Sequence, residues 1–407
     1  MCASSKILVV SEQWWPEGTG GILASHLIAC ILRDAGFKLT VVHGTEKPEM
    51  VKDVDYVYTK LLRVRNKHRL WINCFVLARQ SWFSKVLQNC DVVYIPRYCY
   101  PLIPLAKKLG KRVVVHLHDY QPIAYNAVVF NGEERNSFGL NNVVRFEVLE
   151  HGSVLRAILG TFAAPVSELC RLWLSEANTV VCVSRRQAEI ISNRAPQLAD
   201  KIRVVYNPLP ETPPVEEKLE NPTFTYTGGG SYVKGFYIFI RASLNVLKRG
   251  NNASFMLTGG LRGLRHKHIK LLEKLSNSLT GSFKLLGHLP YEDVLRLYSR
   301  SHTVLVPSIW EEPLPYVVME ATAMGTIPVA SRVGGIPEIV EGTYAERMMF
   351  TPGNVGELVD RMEEVLSLSR DQLLDIGASL RESVLTRFAR EEIKERLVGL
   401  FAGLHDE

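Results

Sequence analysis

IWEEPLPYVVMEATAMG, running from Ile309 to Gly325, sets three carboxylates in an otherwise apolar stretch. Glu311 and Glu312 precede Pro313 and Pro315, and Glu320 follows the run Val317, Val318 and Met319. A carboxylate left unpaired among core residues is expensive, so Glu320 must have a partner. The prolines oppose helix before them and suit a helix whose first turn begins near Pro315. Gly325 is the natural residue just past its end. Glu312 is therefore expected in the loop at the mouth of this helix and Glu320 in its second turn. Glu311 reads as the spare acid, solvated beside the helix end.

The chain around this stretch is large and globular in composition. At 407 residues it is too long for one ordinary core, and two domains of about 200 residues each are expected. Hydrophobic residues make up 46% and charged residues 22%, which excludes disordered and fibrous classes. No apolar run reaches the roughly 18 residues of a membrane span. MCASSKILVVSEQWW reads as a first strand and not as a signal peptide. Seven cysteines from Cys2 to Cys182, with no C-x-x-C pair, predict reduced thiols in a cytoplasmic compartment and no zinc site. Residues 1–210 carry 26 Lys/Arg against 17 Asp/Glu, whereas the remainder carries 22 against 25. The first half thus has reason to meet something anionic.

KILVV, LTVVHG, DVVYIP, RVVVHLHD and TVVCVS are short continuous apolar runs, as parallel strands covered on both faces require. Helix-like segments alternate with them, beginning with ILASHLIACILRDAG. The first half therefore predicts a doubly wound α/β domain over residues 1–208. Residues 121–175 break the rhythm and read as a helical excursion of that domain. NPLPETPPVEEKLENPT is rich in proline and acid, which predicts a linker over residues 209–223. FTYTGGG, FMLTGG, FKLLGH, TVLVPS and IPVAS restart the same grammar over residues 224–385. Residues 386–407 are expected to form a C-terminal helix placed to cross back to the N-terminal domain. Two such sheets joined by a hinge predict a cleft at their carboxyl ends, where open α/β sheets bind ligands.

Four motifs carry candidate chemistry. Gly18, Gly20 and Gly21 form a turn between the first strand and the first helix, of the kind that admits a phosphate to backbone N–H groups. It is not G-x-G-x-x-G, so a dinucleotide site is not supported, and a plain tight turn explains it equally well. Gly228, Gly229 and Gly230 form a second turn, followed by Lys234, and a cation beside a glycine turn can clamp a diphosphate. HLHD ends a strand with His116, His118 and Asp119. No third metal ligand is evident, so one histidine is expected to be structural and His118 to be the functional one. At the mouth of the Pro315 helix, the N-terminus attracts phosphate, and Glu312 and Glu320 can accept hydrogen bonds from sugar hydroxyls on either side of it.

PSIWEEPLPYVVMEATAMGTIPVASRVGGIPEIV resembles the signature of retaining GT-B-fold glycosyltransferases of the family 4 type, whose E-x7-E pair matches Glu312 and Glu320. GTGG, HLHD, TVVCVSRRQ, KIRVVYNP, GGG…KG and FKLLGHLPYEDVLRLYSRS fall in the family's order. The resemblance implies two Rossmann-like domains facing each other across a cleft and transfer from a nucleotide-diphosphate sugar. Glu320 would hold the ribose hydroxyls, Glu312 the transferred sugar and Lys234 the diphosphate. Gly20, Gly21, Gly229 and Gly230 would approach the diphosphate, and His118 would lie at the reacting centre. His288, Leu314, Pro315, Tyr316 and Val317 complete the donor set. No metal and no cofactor beyond the donor is implied, and no nucleic acid partner. Two departures stand out. Gly229 occupies a position where the family generally has arginine, and Pro315, which has no N–H, one where it generally has glycine. Donor binding should then rest on the Tyr316 and Val317 amides and on Lys234. The alternatives are a sugar-nucleotide epimerase of similar layout and a non-catalytic nucleotide-sugar-binding protein.

The acceptor, whether glycan, lipid-linked or small molecule, is not legible. The basic clusters RVRNKHR (Arg63 to Arg69) and KKLGKR (Lys107 to Arg112) could face an anionic lipid, and GSVLRAILGTFAAPVSELCRLWL could lie on it as an interfacial helix. That would make the chain peripheral to the inner face of a membrane. A buried helix flanked by ordinary solvated cations is the weightier of the two readings.

Overall fold

The computed structural model describes residues 5–64, 66–133, 140–259 and 282–403. Cys2, Arg65, residues 134–139 of the excursion and residues 404–407 of the expected C-terminal helix lie outside them. The chain divides into two compact units.

The first unit comprises Met1–Val128, Ala163–Pro208 and Phe388–Glu407. Its sheet contains Lys6–Ser11 (β1), Lys38–His43 (β2), Asp55–Tyr58 (β3), Val92–Ile95 (β4), Arg112–Leu117 (β5), Thr179–Cys182 (β6) and Ile202–Val204 (β7), in the order β3-β2-β1-β4-β5-β6-β7. All the pairings are parallel. Strands β1, β4, β5 and β6 are buried almost throughout, which is why they read as unbroken apolar runs. The order reverses between β1 and β4, and the Gly20–Asp34 helix leaves β1 at that point. The Arg390–Ala402 helix closes the unit: Arg390 donates to Asp34 at 2.8 Å, and Arg112 donates to the carbonyl of Leu400 at 2.7 Å.

The second unit comprises Val129–Phe162 and Leu209–Arg387. Its sheet, Thr223–Tyr226 (β8), Ser254–Thr258 (β9), Phe283–Gly287 (β10), Thr303–Val306 (β11) and Ile327–Ala330 (β12), is parallel with order β10-β9-β8-β11-β12. Here the order reverses between β8 and β11. The Gly228–Gly230 turn follows β8, and the Glu311–Glu312 loop follows β11. Both therefore stand at the carboxyl ends that flank the crevice of a doubly wound sheet.

One allocation differs from expectation. Residues 121–175 read as an excursion of the first domain, but Val129–Phe162 belongs to the second unit. Phe130 forms an antiparallel bridge with Trp310, fixed by Glu311 N–H to the Val129 carbonyl at 2.8 Å. Glu311 is then no spare acid. It is buried, and accepts from Asn131 Nδ2 at 2.7 Å and from the Gly334 N–H at 2.8 Å. A buried acceptor that answers two donors on separate segments holds both in place. Glu311→Ala leaves those donors unsatisfied and should lower the unfolding free energy by about 1–3 kcal/mol in denaturant titrations.

Candidate functional site

The Tyr316–Ala323 helix opens at Pro315, whose φ of −76° and ψ of 120° set the chain just outside helical geometry. Gly325, at φ +66°, ends it as expected. Glu312 lies in the preceding loop, buried, with its backbone carbonyl held by Gly335 N–H at 2.8 Å. A Cβ on Gly334 would fall 1.8 Å from that carbonyl oxygen, so only glycine lets the two loops meet. The Glu312 carboxylate receives Lys234 Nζ on both oxygens, at 2.7 and 2.8 Å, and Ser308 Oγ at 2.6 Å. Lys234 also lies 5.1 Å from the centre of the Trp310 ring, a cation–π contact that keeps its ammonium over the loop. The two residues expected on separate parts of a ligand are thus joined to each other.

Lys234 owes its place to a nested turn. Gly235 has φ +80° and sits against Pro307, where a Cβ would come within 1.8 Å of the carbonyl oxygen. Val233 beside it donates its N–H to Glu150 Oε2 at 3.0 Å, and its carbonyl accepts from Ile309 N–H at 2.9 Å. The excursion therefore supports the site twice, through Asn131 and through Glu150. Gly229 adopts φ +57°. An arginine held in that left-handed region would cost roughly 1–2 kcal/mol.

Glu320 has the partner that the sequence demanded. Tyr291, at the start of the Tyr291–Arg300 helix, donates to Glu320 Oε1 at 2.6 Å. Nothing in the spacing of the sequence marks Tyr291 for this. Burial nevertheless dominates, and pushes the Glu320 carboxyl up to about 7. Leu314 and Tyr316 are buried around the helix mouth and Val317 is half-buried. His288 is exposed on the loop after β10, three residues before Tyr291.

The first unit holds a second constellation. His116 is buried and bonded through Nδ1 to Tyr94 at 3.0 Å, and burial lowers it to about 3. Its Nε2 is buried with no hydrogen-bond partner among the described residues. His118 stacks on it at 4.5 Å, and burial, with His116 and the Arg97 guanidinium beside it, pushes His118 well below the ordinary histidine range. Its Nε2 is likewise shielded from solvent, with no hydrogen-bond partner among the described residues. Gly20 and Gly21 form the first residues of the Gly20–Asp34 helix, and a Cβ on Gly21 would lie 3.0 Å from the His118 side chain. The glycine turn and the histidine, singled out separately in the sequence, are in contact. Among the described residues no group of three or more His, Cys, Asp or Glu side chains is placed to hold a metal ion.

Residues 26–211 match the family described as Glycosyltransferase Family 4, and residues 211–380 the family described as Glycosyl transferases group 1. Spore coat protein SA of Bacillus subtilis is 23% identical over 261 residues, 58% of this chain and 66% of that protein. Glycogen synthase of Thermodesulfovibrio yellowstonii is 24% identical over 198 residues, 47% of this chain and 37% of the relative. The chain thus spans less than two thirds of these relatives' lengths. Among solved structures, sucrose-phosphate synthase of Thermosynechococcus elongatus superposes with a TM-score of 0.74 at 16% identity, covering 98% of this chain and 99% of that one. The Anabaena protein Alr3699/HepE, solved with UDP-glucose, superposes with a TM-score of 0.70 at 17% identity over 98% of this chain and 100% of its own. At such identities the likeness carries the fold.

Because Glu320 is raised from an ordinary 4.5 to about 7, the folded state holds a proton that the unfolded chain releases. Stability should therefore be undiminished below about pH 4.5 and fall as pH rises through about 7, by on the order of 3 kcal/mol. Chemical denaturation of wild type and Glu320→Gln at pH 5 and pH 8 checks this. The wild type should lose stability relative to the variant at the higher pH.

Proposed function

From a chain that belongs to the GT-B glycosyltransferases of the family 4 type, we infer that it moves a sugar from a nucleotide-diphosphate sugar to an acceptor with retention of anomeric configuration. The observation that carries this reading is the pairing of buried Glu312 with half-buried Lys234, set at the mouth of a helix whose second turn presents Glu320. Both carboxylates are positioned to accept hydrogen bonds, and the N-terminus between them favours anionic oxygens.

In this reading the ribose hydroxyls donate to Glu320 and the diphosphate rests on the Tyr316 and Val317 amides. Gly229 and Gly230, with Gly20 and Gly21, let backbone approach the phosphates, while Leu314, Pro315 and His288 border the donor. The incoming diphosphate draws Lys234 from Glu312, and hydroxyls of the transferred sugar take its place on the carboxylate. The bond from the anomeric carbon to the leaving phosphate oxygen breaks as the acceptor oxygen bonds on the same face, and that phosphate oxygen takes the acceptor proton. His118, kept neutral by its surroundings, serves the reacting sugar as a hydrogen-bonding group rather than as an acid. Lys234 and backbone amides carry the phosphate charge, so the transfer is metal-independent. Reduced Cys30, Cys74, Cys90, Cys99, Cys170 and Cys182 fit a cytoplasmic setting. The acceptor is a glycan, a lipid-linked sugar or a small molecule.

UDP and UDP-glucose, which the Anabaena protein binds, are the first ligands to screen by thermal stabilisation, followed by other nucleotide sugars. With the best ligand, Glu320→Ala should weaken binding of the nucleotide alone by about 1.5–3 kcal/mol, as loss of charge-assisted hydrogen bonds implies. Glu312→Ala should spare the nucleotide and abolish turnover of the nucleotide sugar. Unchanged nucleotide affinity in folded Glu320→Ala, measured by calorimetry, refutes the assignment. Turnover should also survive a strong chelator, and its loss would require a metal bridging the phosphates.

A further inference from the structure

The first unit carries a surface that includes none of the residues assigned to the donor or the reacting centre. Its Lys67–Leu77 helix buries Leu70, Trp71, Cys74 and Leu77 on one side. A soluble helix should be polar on the other side. Instead Ile72 is 63% exposed, Phe75 48% and Val76 38%. Arg69, Ile72, Val76 and Arg79 follow one another at spacings of three, four and three, so an apolar row lies between two cations on one face. The backbone of Ala78 is still helical and carries the row on to Arg79.

This row is continued by a second helix of the same unit, Val166–Glu176. Trp173 packs edge-on against Trp71, with ring centres 5.2 Å apart, and against Phe75 at 6.3 Å. Leu172, 62% exposed, and Leu169 project from this helix three residues apart. Single exposed aliphatic residues are ordinary, but a contiguous set on two packed helices marks an interaction surface. The second unit, taken by itself, has a comparable face: Val154, Leu155, Ile158, Leu159 and Phe162 are all exposed on the Val154–Ala163 helix. The reading of this segment as a buried helix therefore fails for that face.

Charge selects the occupant. Between Asp55 and Asp91 the chain contains no carboxylate, yet it contains Lys60, Arg63, Arg65, Lys67, Arg69, Arg79 and Lys85. Arg63 pairs with Glu46, and Lys67 donates to Gln121 at 2.5 Å. Arg69, Arg79 and Lys85 are exposed and have no ion pair among the described residues. A second copy of the chain meeting this face through a two-fold axis would set the same cations against one another. Apolar side chains projecting from a helix among unpaired cations suit a deformable anionic layer, into which they insert while the guanidinium groups meet headgroups. No single helix among the described residues is long and apolar enough to cross a membrane; the bent pair Val154–Ala163 and Val166–Glu176 passes that test by length and composition, but Val166–Glu176 keeps Ser167, Cys170, Arg171 and Leu174 buried in the protein, which suits a contact made from the surface.

We propose that the Lys67–Leu77 and Val166–Glu176 helices form a face that docks on the surface of an anionic lipid bilayer. The test is sedimentation of the full chain with vesicles of phosphatidylcholine alone or mixed with phosphatidylglycerol, at low and high salt. Wild type should pellet with the anionic vesicles, remain in solution with the neutral ones, and be released by salt. Arg69→Ala with Arg79→Ala should weaken binding about thirtyfold, since each basic residue near such a surface is worth about 1 kcal/mol. Ile72→Ser with Phe75→Ser should lose binding at low salt as well. Both variants change exposed side chains, and near-ultraviolet circular dichroism verifies their fold. Wild type absent from both pellets, equal pelleting with the two compositions, or variants that pellet like wild type would overturn the proposal. So would a dimer in solution that Ile72→Ser with Phe75→Ser disperses, because the face would then belong to a second copy. Vesicle binding is read without turnover, so failure here and failure of the transfer reaction are separately visible.

Discussion

Carboxylates cannot be taken out of water unless donors meet them, and three of them come inside around the loop after β11. Each is met from a different direction. Asn131 and the Gly334 amide answer Glu311, Lys234 and Ser308 answer Glu312, and Tyr291 answers Glu320. Those donors come from the excursion, from the turn after β8, from the strand end itself, from the loop before β12's following helix and from the helix after β10. Removing water from three acids has thereby drawn the loops at the carboxyl edge of one sheet onto a single stretch of chain.

The arrangement is graded in polarity. Glu311 is answered by neutral amides and stays fixed. Glu312 is answered by an ammonium that is itself 39% exposed, so its partner can be exchanged for a ligand. Glu320 is answered, among the described residues, by a neutral phenol and is left with a raised affinity for a proton. Structure holds the first, binding can rearrange the second, and ligand hydroxyls can improve the lot of the third. Nearby glycines matter for the same reason, since Gly235 and Gly334 bring backbone to distances that any side chain would forbid.

Much of the fold was legible because the central strands are buried on both sides and announce themselves as unbroken apolar runs. β3 was not, since DYVY lies at the sheet edge with only intermediate or exposed positions. Nor was β7, which is short and half-exposed. The demand that Glu320 be answered was visible from its neighbours, but the identity of Tyr291 was not, because the contact spans 29 positions and no local period encodes it. Glu311 was misread for a related reason. Its partners Asn131 and Gly334 lie 180 positions before it and 23 after it. Sequence order placed Val129–Phe162 with the first domain, whereas a two-strand bridge to Trp310 and a bond from Val233 to Glu150 place it with the second.

That interleaving bears on how the chain matures during synthesis. The strands of the first unit are complete by Val204, but the helix that seats Phe401 against Tyr94 and takes Arg112 on its last carbonyls is made nearly two hundred residues later. Val129–Phe162, conversely, leaves the ribosome well before any strand of the sheet it joins. Neither unit can finish as an isolated N-terminal product, so the usual vectorial order of domain-by-domain folding is unavailable to this topology. Its apolar faces must wait, partly covered, until translation has passed residue 400.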